Sequence, residues 1–235
     1  MLRYLLVFVF VASTITAHAQ DQGFVPLFNG NDLEGWQQAG GEAVYSVKDG
    51  VIVGESVANT PNSFLCTQKL YGDFVLEYEY KCDSLLNSGV QFRSNVYAID
   101  VVVSGKGKKK TIPAGRVHGY QVEIDPNKPD RMWSGGIYDE ARRGWLYPGL
   151  AGGDAESFTK KGQAAFKPDE WNQVRVECKG KHIRTWLNEE LRSDFIDGMT
   201  PKGIIALQVH GVGGRAEAVG KTVMWRKLRI KELTP

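Results

Sequence analysis

Cysteine is scarce in this chain, and none of the motifs built on it is present. The 235 residues contain three cysteines, Cys66, Cys82 and Cys178. Their spacing matches neither a zinc site nor a CxxC redox motif. Cys66 and Cys82 could pair if their strands are neighbours, but an odd count leaves one thiol over, so three buried free thiols are the default expectation. Cys178 falls on the apolar side of its strand, which is a poor position for a nucleophile.

Other absences narrow the possible functions further. The sequence has no P-loop, no GxSxG nucleophile elbow and no HExxH zinc-protease motif. Its 29 basic and 27 acidic residues nearly cancel, which leaves a formal net charge of +2. That balance gives no reason to expect nucleic acid or an anionic membrane as a partner.

Long apolar runs are also missing, apart from one near the start of the chain. Residues 4–11 are apolar, but a membrane span needs about 20 such residues. Arg3 precedes this run, and Ala17-His18-Ala19 follows it as a small-residue cleavage site. The pattern predicts a cleaved export signal over residues 1–19, no membrane span, and a periplasmic or extracellular protein.

The sequence contains no long periodic helix, and its regular patterns are those of strands. The stretch Asp73–Cys82, for example, alternates apolar and polar side chains with the period of two that a half-buried strand requires. About ten to thirteen such strands, spaced roughly 8–15 residues apart, predict an all-β fold. We expect two antiparallel sheets packed as a sandwich, in one domain over residues 20–235. Residues 152–161 are small and polar, which predicts a loop or a short helix.

Gly119–Asn127 is the stretch on which the functional prediction depends. As a strand it places apolar side chains on one face and Gln121, Glu123 and Asp125 on the other. Residues two apart on a strand lie ~6.6 Å from each other. Carboxylates at that spacing perturb each other's pKa or share a cation or a ligand. The alternative interpretation is an ordinary solvated outer face of a sheet.

Two further strands show the same pattern, with an apolar face opposite amides and ionisable groups. One carries Gln91 with Arg93, and the other carries Gln208 with His210. If these strands adjoin the central one, their polar sides form one concave sheet face that binds a hydroxylated ligand. Gln91, Gln121 and Gln208 are then the expected substrate-binding amides.

Each remaining candidate has a functional and a structural interpretation. His210 could act as a base or a metal ligand because its unperturbed pKa is near neutrality, or it could be a satisfied structural histidine. Arg93 could hold a carbonyl oxygen or a developing oxyanion, or pair with Glu123. Trp133 and Tyr138 could stack on sugar rings or cover the core.

Eight short segments, spread in order over most of the chain, together resemble the sequence of a known family. They are Leu27–Trp36, Asp73–Glu79, Asn87–Ser94, Gly119–Asp125, Ser134–Tyr138, Glu170–Asn172, Leu187–Asn188 and Ile205–Gly211. Together they resemble the 3-keto-disaccharide hydrolase domain family. The resemblance implies a concanavalin A-like (lectin/glucanase) jelly-roll fold and a secreted, carbohydrate-active hydrolase with an oligosaccharide or glycoside as its substrate.

Glu123-Ile124-Asp125 also resembles the first part of a signature of laminarinase-type glycosidases that share this fold. That signature is Glu-x-Asp-x-x-Glu or Glu-x-Asp-x-Glu, in which the first Glu is the nucleophile and the last is the acid/base. Here Pro126, Asn127 and Lys128 follow instead. The second catalytic carboxylate is missing, so ordinary two-carboxylate glycoside hydrolysis is not expected.

The family name implies a different reaction. A ketone at C3 of a sugar acidifies the C2 proton, so a base can remove it while an arginine or a metal ion holds the enolate. The C1 substituent then leaves by β-elimination, and water adds back. For this reaction our hypothesis is His210 or Glu123 as base, Arg93 as oxyanion partner, and Asp125 as an orienting group or metal ligand. A Ca, Mn or Zn ion held by Glu123, Asp125 and His210 is the candidate cofactor.

Two alternatives stay open at this point. The same fold hosts carbohydrate-binding modules that turn nothing over, because fold does not dictate function. The aromatic loops of residues 131–148 could instead contact other extracellular proteins.

Overall fold

The computed structural model of the chain describes residues 22–105 and 108–234. The export signal predicted for residues 1–19 lies outside the described residues. Among those described, no helix is long and apolar enough to cross a membrane.

The described residues form seventeen strands, one α-helix, and a single 3-10 turn at Ala216–Ala218. The α-helix is α1 (Ala155–Ala165). The strands are β1 (Val25–Pro26), β2 (Trp36–Gly40), β3 (Val44–Lys48), β4 (Val51–Glu55), β5 (Ser63–Thr67), β6 (Phe74–Cys82), β7 (Ser88–Val96), β8 (Val101–Gly105), β9 (Lys108–Ile112), β10 (Val117–Ile124), β11 (Ile137–Glu140), β12 (Gly144–Tyr147), β13 (Asn172–Lys179), β14 (His182–Leu187), β15 (Glu190–Ile196), β16 (Ile204–Val209) and β17 (Thr222–Glu232).

These strands build two large antiparallel sheets and a small hairpin. Sheet 1 runs in the order β15-β14-β13-β6-β17-β4-β3, with β1 added beside β17. Sheet 2 runs in the order β12-β11-β10-β7-β16-β5-β2, and β8 pairs only with β9. The neighbouring strands β10, β7, β16 and β5 of sheet 2 come from distant parts of the chain, so residues far apart in sequence meet on its faces.

The hydrophobic core lies between the two sheets. Leu76 and Trp225 of sheet 1 belong to the same buried cluster as Val90, Val122 and Leu207 of sheet 2. Each of these strands sends alternate side chains inward, as the period of two predicts. The predicted sandwich of two antiparallel sheets is therefore confirmed, and the outward face of sheet 2 is left to carry the polar side chains.

The sequence-based element count was too low, since it predicted about ten to thirteen strands. The additional strands include short ones such as β1 and β12, of two and four residues. The α-helix begins after Asp154, whose side-chain Oδ1 accepts a hydrogen bond of 2.7 Å from the Ser157 backbone N–H. This N-cap satisfies a backbone donor that has no partner within the helix. The helix continues to Ala165, four residues beyond the predicted loop or short helix.

All three cysteines are buried and unpaired. Cys66 lies on β5 of sheet 2 and Cys82 on β6 of sheet 1, so they are not on neighbouring strands and do not form the pair considered from the sequence. Cys178 points into the core. Burial raises the pKa of the Cys66 thiol to about 12, which makes it a poor nucleophile.

Candidate active site

A cavity of about 960 Å³ lies over the face of sheet 2 that is turned away from the core. Strands β7, β10 and β16 form the middle of this sheet, and connecting loops form the cavity walls. Hydrogen-bonding and ionisable side chains dominate the lining, among them Asn87, Gln121, Glu123, Tyr138, Glu140 and His210.

The period of two explains why Gln121 and Glu123 face the cavity. Tyr120, Val122 and Ile124 alternate with them on β10 and are completely buried on the core side. The carboxylate and the amide must therefore project outward. Their position on a central strand places them on the floor of the cavity rather than at its rim.

Glu123 is a buried carboxyl group held by amides alone. Its side chain is 6% exposed, Asn87 Nδ2 donates to its Oε1 at 2.7 Å, and Gln121 Nε2 donates to its Oε2 at 2.8 Å. No described arginine, lysine or histidine forms an ion pair with it. Burial, with a contribution from the charges of Asp125 and Glu140, raises the pKa of Glu123 to about 7.

Asp125, two residues further along, is in a different environment. Its side chain is completely buried and pairs with the guanidinium of Arg131. Asn87 Nδ2 lies 3.1 Å from its Oδ1, so one amide bridges the two carboxylates of this strand. Asp125 does not line the cavity. The structure thus gives it contacts suited to an orienting role, through Asn87 onto Glu123.

Gln121 continues the polar network inward. Its Oε1 accepts a hydrogen bond of 2.6 Å from Gln91 Nε2, and Gln91 Oε1 lies 2.8 Å from Ser94 Oγ. A Cβ added at Gly89 on the neighbouring strand would lie 2.4 Å from the Gln121 Cδ. Gly89 therefore provides the space in which Gln121 lies across β7.

His210 lies in the cavity lining, just after the end of β16, and is exposed. Its Nδ1 is 2.9 Å from the Gly211 carbonyl oxygen, which only an Nδ1–H can satisfy. Desolvation by the surrounding protein atoms, together with the charges of Arg116 and Lys128, lowers the pKa of His210, while the hydrogen bond to the Gly211 carbonyl and the charge of Glu140 oppose this shift. The lowered pKa favours the neutral ring, in which the lone pair of Nε2 is available as an acceptor.

The three residues predicted as a metal-ligand set do not form one. Among residues 22–105 and 108–234, no group of three His, Cys, Asp or Glu side chains is arranged to hold a metal ion. Asp125 is instead paired with Arg131 and does not line the cavity, so it is not available to a cation beside Glu123 and His210. The predicted set of Glu123, Asp125 and His210 does not fit a Ca, Mn or Zn ion.

The prediction that Arg93 shares the polar face is wrong. Its side chain is completely buried, its Nε donates to the Gly72 carbonyl and its Nη1 to the Gly180 carbonyl, both at 2.8 Å, and its Nη2 pairs with Asp73 at 2.7 Å. Arg93 has a φ of 44°, and the pairing of β7 with β16 shifts register at this point. Such a bulge interrupts the alternation of side chains, so Arg93 points away from Gln91. It is not placed to hold an oxyanion in the cavity.

The predicted substrate-binding residues divide into two groups. Gln121 and Tyr138 line the cavity. Gln91 and Gln208 are fully buried in the sheet and do not line it, and Gln208 has no hydrogen-bond partner for either amide atom within the described chain. Trp133 is also set back, because its Nε1 donates to Thr159 Oγ1 at 3.1 Å and its ring packs edge-on against Trp145, which does line the cavity.

Several site residues were not identified from the sequence. Asn87 precedes β7, and Glu140 ends the four-residue strand β11, too short to show a pattern. Arg116 pairs with Glu140, and the Arg131 guanidinium lies over the Trp145 ring, 5.0 Å from its centroid. The only available signal was that Asn87 begins one of the segments that carry the family resemblance.

Comparison with known proteins gives one family match over most of the chain. The family model of the 3-keto-alpha-glucoside-1,2-lyase-like domain matches residues 23–231. No curated protein matches the sequence.

Solved structures match the chain over most of its length. A candidate glycosyl hydrolase from Parabacteroides distasonis ATCC 8503 is 22% identical, with a TM-score of 0.54 over 94% of this chain and 99% of that one. Porphyranase B from Zobellia galactanivorans is 13% identical, with a TM-score of 0.55 over 90% and 94%. A galectin-like protein from Bacillus subtilis is 9% identical, with a TM-score of 0.54 over 85% and 90%. These similarities confirm the predicted jelly-roll fold.

Proposed function

Because the chain belongs to the 3-keto-alpha-glucoside-1,2-lyase-like domain family, we propose that it cleaves 3-keto-glycosides by elimination across C1 and C2, followed by hydration. The observation that carries this proposal is Glu123. It is a carboxyl group on the floor of a sugar-sized cavity, without a counter-ion among the described residues, and its pKa is raised to about 7. A general base whose pKa lies near the working pH combines a large ionised fraction with a strong driving force for proton transfer.

In the first step, Glu123 takes the C2 proton. The C2–H bonding electrons move into a C2–C3 enolate, whose charge rests on the C3 oxygen. When the ketone re-forms, those electrons make the C1–C2 double bond and break the bond from C1 to the leaving oxygen, which takes a proton from water. A single base and a stabiliser for one negative oxygen suffice for this sequence, whereas two-carboxylate hydrolysis needs a paired acid and nucleophile or base.

Cations in the cavity wall replace Arg93 in the enolate-stabilising role. Arg116 and Lys128 line the cavity, and both charges act on His210. Arg116 is already paired with Glu140, while Lys128 forms no ion pair with any described residue. Of the two cations whose charges act on His210, we assign the developing enolate oxygen to Lys128, supported by Arg116, because an unpaired cation offers its full charge to the transition state.

His210 suits the hydration step. A neutral ring whose Nδ1–H is held by the Gly211 carbonyl presents Nε2 as an acceptor, which can orient and deprotonate the water that adds to C1. Asn127 also lines the cavity and has a buried Oδ1 without a described partner, so it offers an acceptor to a sugar hydroxyl. Tyr138 and Trp145 supply aromatic surface for a sugar ring.

The decisive experiment compares a 3-keto-glucoside with its plain parent. We expect release of the C1 substituent only from the keto sugar, a primary isotope effect when C2 carries deuterium, and loss of release in Glu123→Gln. Equal release from the parent glucoside would contradict the elimination mechanism. Binding of both sugars without release would make the protein a carbohydrate-binding module.

Export is a separate part of the proposal, and fractionation of the producing cell tests it. We expect the protein in the periplasmic or extracellular fraction.

A further inference from the structure

A chain of hydrogen bonds runs from the Glu123 carboxylate into sheet 2, away from the cavity. Gln121 Nε2 donates to Glu123 Oε2 at 2.8 Å, and Gln91 Nε2 donates to Gln121 Oε1 at 2.6 Å. Ser94 Oγ lies 2.8 Å from Gln91 Oε1 and ends the chain. All four side chains are buried, so solvent does not replace any link that is lost.

The direction of this chain is set at its carboxylate end. An ionised Glu123 only accepts hydrogen bonds, so Gln121 must present its NH₂ group to it. The carbonyl oxygen of Gln121 then faces Gln91, which must donate a hydrogen bond to it from its own NH₂ group. The Gln91 carbonyl oxygen in turn requires a donor, and the Ser94 hydroxyl supplies it. Each link in the chain therefore constrains the next.

The chain can also run in reverse when Glu123 is protonated. The carboxyl O–H then donates to Gln121, and both amides turn over. The Ser94 hydroxyl then accepts a hydrogen bond from Gln91 and donates its own O–H to a backbone carbonyl. The Phe92 and Tyr120 carbonyl oxygens lie 3.0 and 3.1 Å from Ser94 Oγ and can accept this hydrogen bond. Both protonation states of Glu123 thus have a fully bonded arrangement.

We infer that Gln91 and Ser94, which do not touch the cavity, are positioning residues that hold the NH₂ end of Gln121 on the Glu123 carboxylate. This inference rests on the proposed role of Glu123 as the base. It changes the predicted role of Gln91 from substrate binding to support of the base. Gly89 belongs to the same arrangement, because any side chain there would displace Gln121.

Other charges also face Glu123, and the variants proposed here leave them unchanged. Asp125 and Glu140 favour its neutral form. The remaining charged or titratable groups, either in the cavity lining or paired with Asp125, are Lys110, Arg116, Lys128, Arg131, Tyr138, His210 and Arg215.

The test uses Gln91→Leu and the isosteric Gln91→Glu. In Gln91→Glu, the introduced carboxylate demands a donor from Gln121 when it is ionised, so Gln121 must turn its carbonyl oxygen toward Glu123. We expect the apparent pKa of Glu123 to rise by about 1 unit in this variant, and by about half a unit in Gln91→Leu. The measurement is a ¹³C NMR titration of the side-chain carboxyl groups, with Glu123→Gln used to assign the signal. The acidic limb of kcat/KM should move by the same amount, with KM unchanged.

Gln208→Leu is the matched control. Gln208 is a glutamine buried as completely as Gln91, on the neighbouring strand β16, but its amide makes no hydrogen bond within the described chain. Removing it should leave the Glu123 titration unchanged. Equal shifts in Gln91→Leu and Gln208→Leu, or no shift in either Gln91 variant, would overturn the inference. A shifted titration in a protein without lyase activity would instead reject the proposed function and keep the hydrogen-bond chain.

Discussion

Two buried carboxylates on adjacent strands of sheet 2, Glu123 on β10 and Asp139 on β11, have opposite surroundings. Asp139 is completely buried and forms ion pairs with Arg142 and Arg143. Glu123 is nearly as buried but accepts hydrogen bonds only from amides. A second acid, Asp197, pairs with Arg143 at 2.7 Å and extends the Asp139 network.

The difference in their hydrogen-bond partners gives the two acids different roles, one in stability and one in the proposed reaction. A buried carboxylate whose two oxygens both pair with arginines holds in place the chain segments that carry those arginines, because breaking such a pair leaves a buried charge without its partner. A buried carboxyl that has only neutral donors is stable with or without its proton, which is the property that a base requires. The same sheet therefore contains a structural acid, Asp139, which pairs with arginines, and a proposed reactive acid, Glu123, which does not.

The largest effect is expected from Glu123→Gln. The substitution keeps size and burial but removes the group proposed to take the C2 proton, so kcat/KM on a 3-keto-glucoside should fall about 10³-fold. Circular dichroism and the melting temperature should remain those of a folded protein. Substantial residual turnover would show that the base is elsewhere, with His210 as the next candidate.

Asp139→Asn should lower the stability of the protein and leave its activity nearly unchanged, the opposite of Glu123→Gln. It leaves Arg142 without an ion-pair partner and Arg143 paired with Asp197 alone, and loss of one partner of a buried pair costs about 3 kcal/mol or more. Denaturant unfolding measures this cost. The protein that still folds should keep its activity at low temperature, because Asp139 does not line the cavity. If Asp139→Asn unfolds no more easily than Glu123→Gln, Asp139 does not have the structural role that separates it from Glu123.

The pH dependence of stability should also distinguish them. The pKa of Glu123 in the folded state, about 7, lies above the ordinary value of 4.5 for a glutamate. The folded state thus holds the proton more tightly, so this group stabilises the protein below about pH 4.5 and that contribution is lost as pH rises through about 7. Between pH 5 and 8, Glu123→Gln should gain up to about 3 kcal/mol of stability relative to the wild type. A pH-independent difference would contradict the raised pKa.

A smaller shift should follow from Asp125→Asn. The Asp125 charge favours the protonated form of Glu123, so removing it should lower the pKa of Glu123 by about half a unit. The acidic limb of kcat/KM should move to lower pH, opposite in direction to the shift expected for the Gln91 variants. An upward shift would mean that the loss of orientation through Asn87 outweighs the loss of charge.

The sequence identified most of the fold and part of the candidate site. Alternating strands predicted which side chains of β6, β10 and β16 face the core, and the same alternation placed Gln121 and Glu123 on the outer face. Arg93 was misplaced because one bulge in β7 reverses the side on which its side chain emerges, and alternation alone does not reveal a bulge. Glu140 was missed because a four-residue strand carries too little pattern to be recognised.

The amino-acid sequence by itself determined that this chain forms two antiparallel sheets with a polar strand at the centre of one of them. That follows from local periodicity, which every strand carries in its own residues. Only the tertiary structure decided which acid is paired and which is left with amides. The arginines and amides that make the difference come from loops and strands brought together by folding, and pKa depends on those neighbours and on burial.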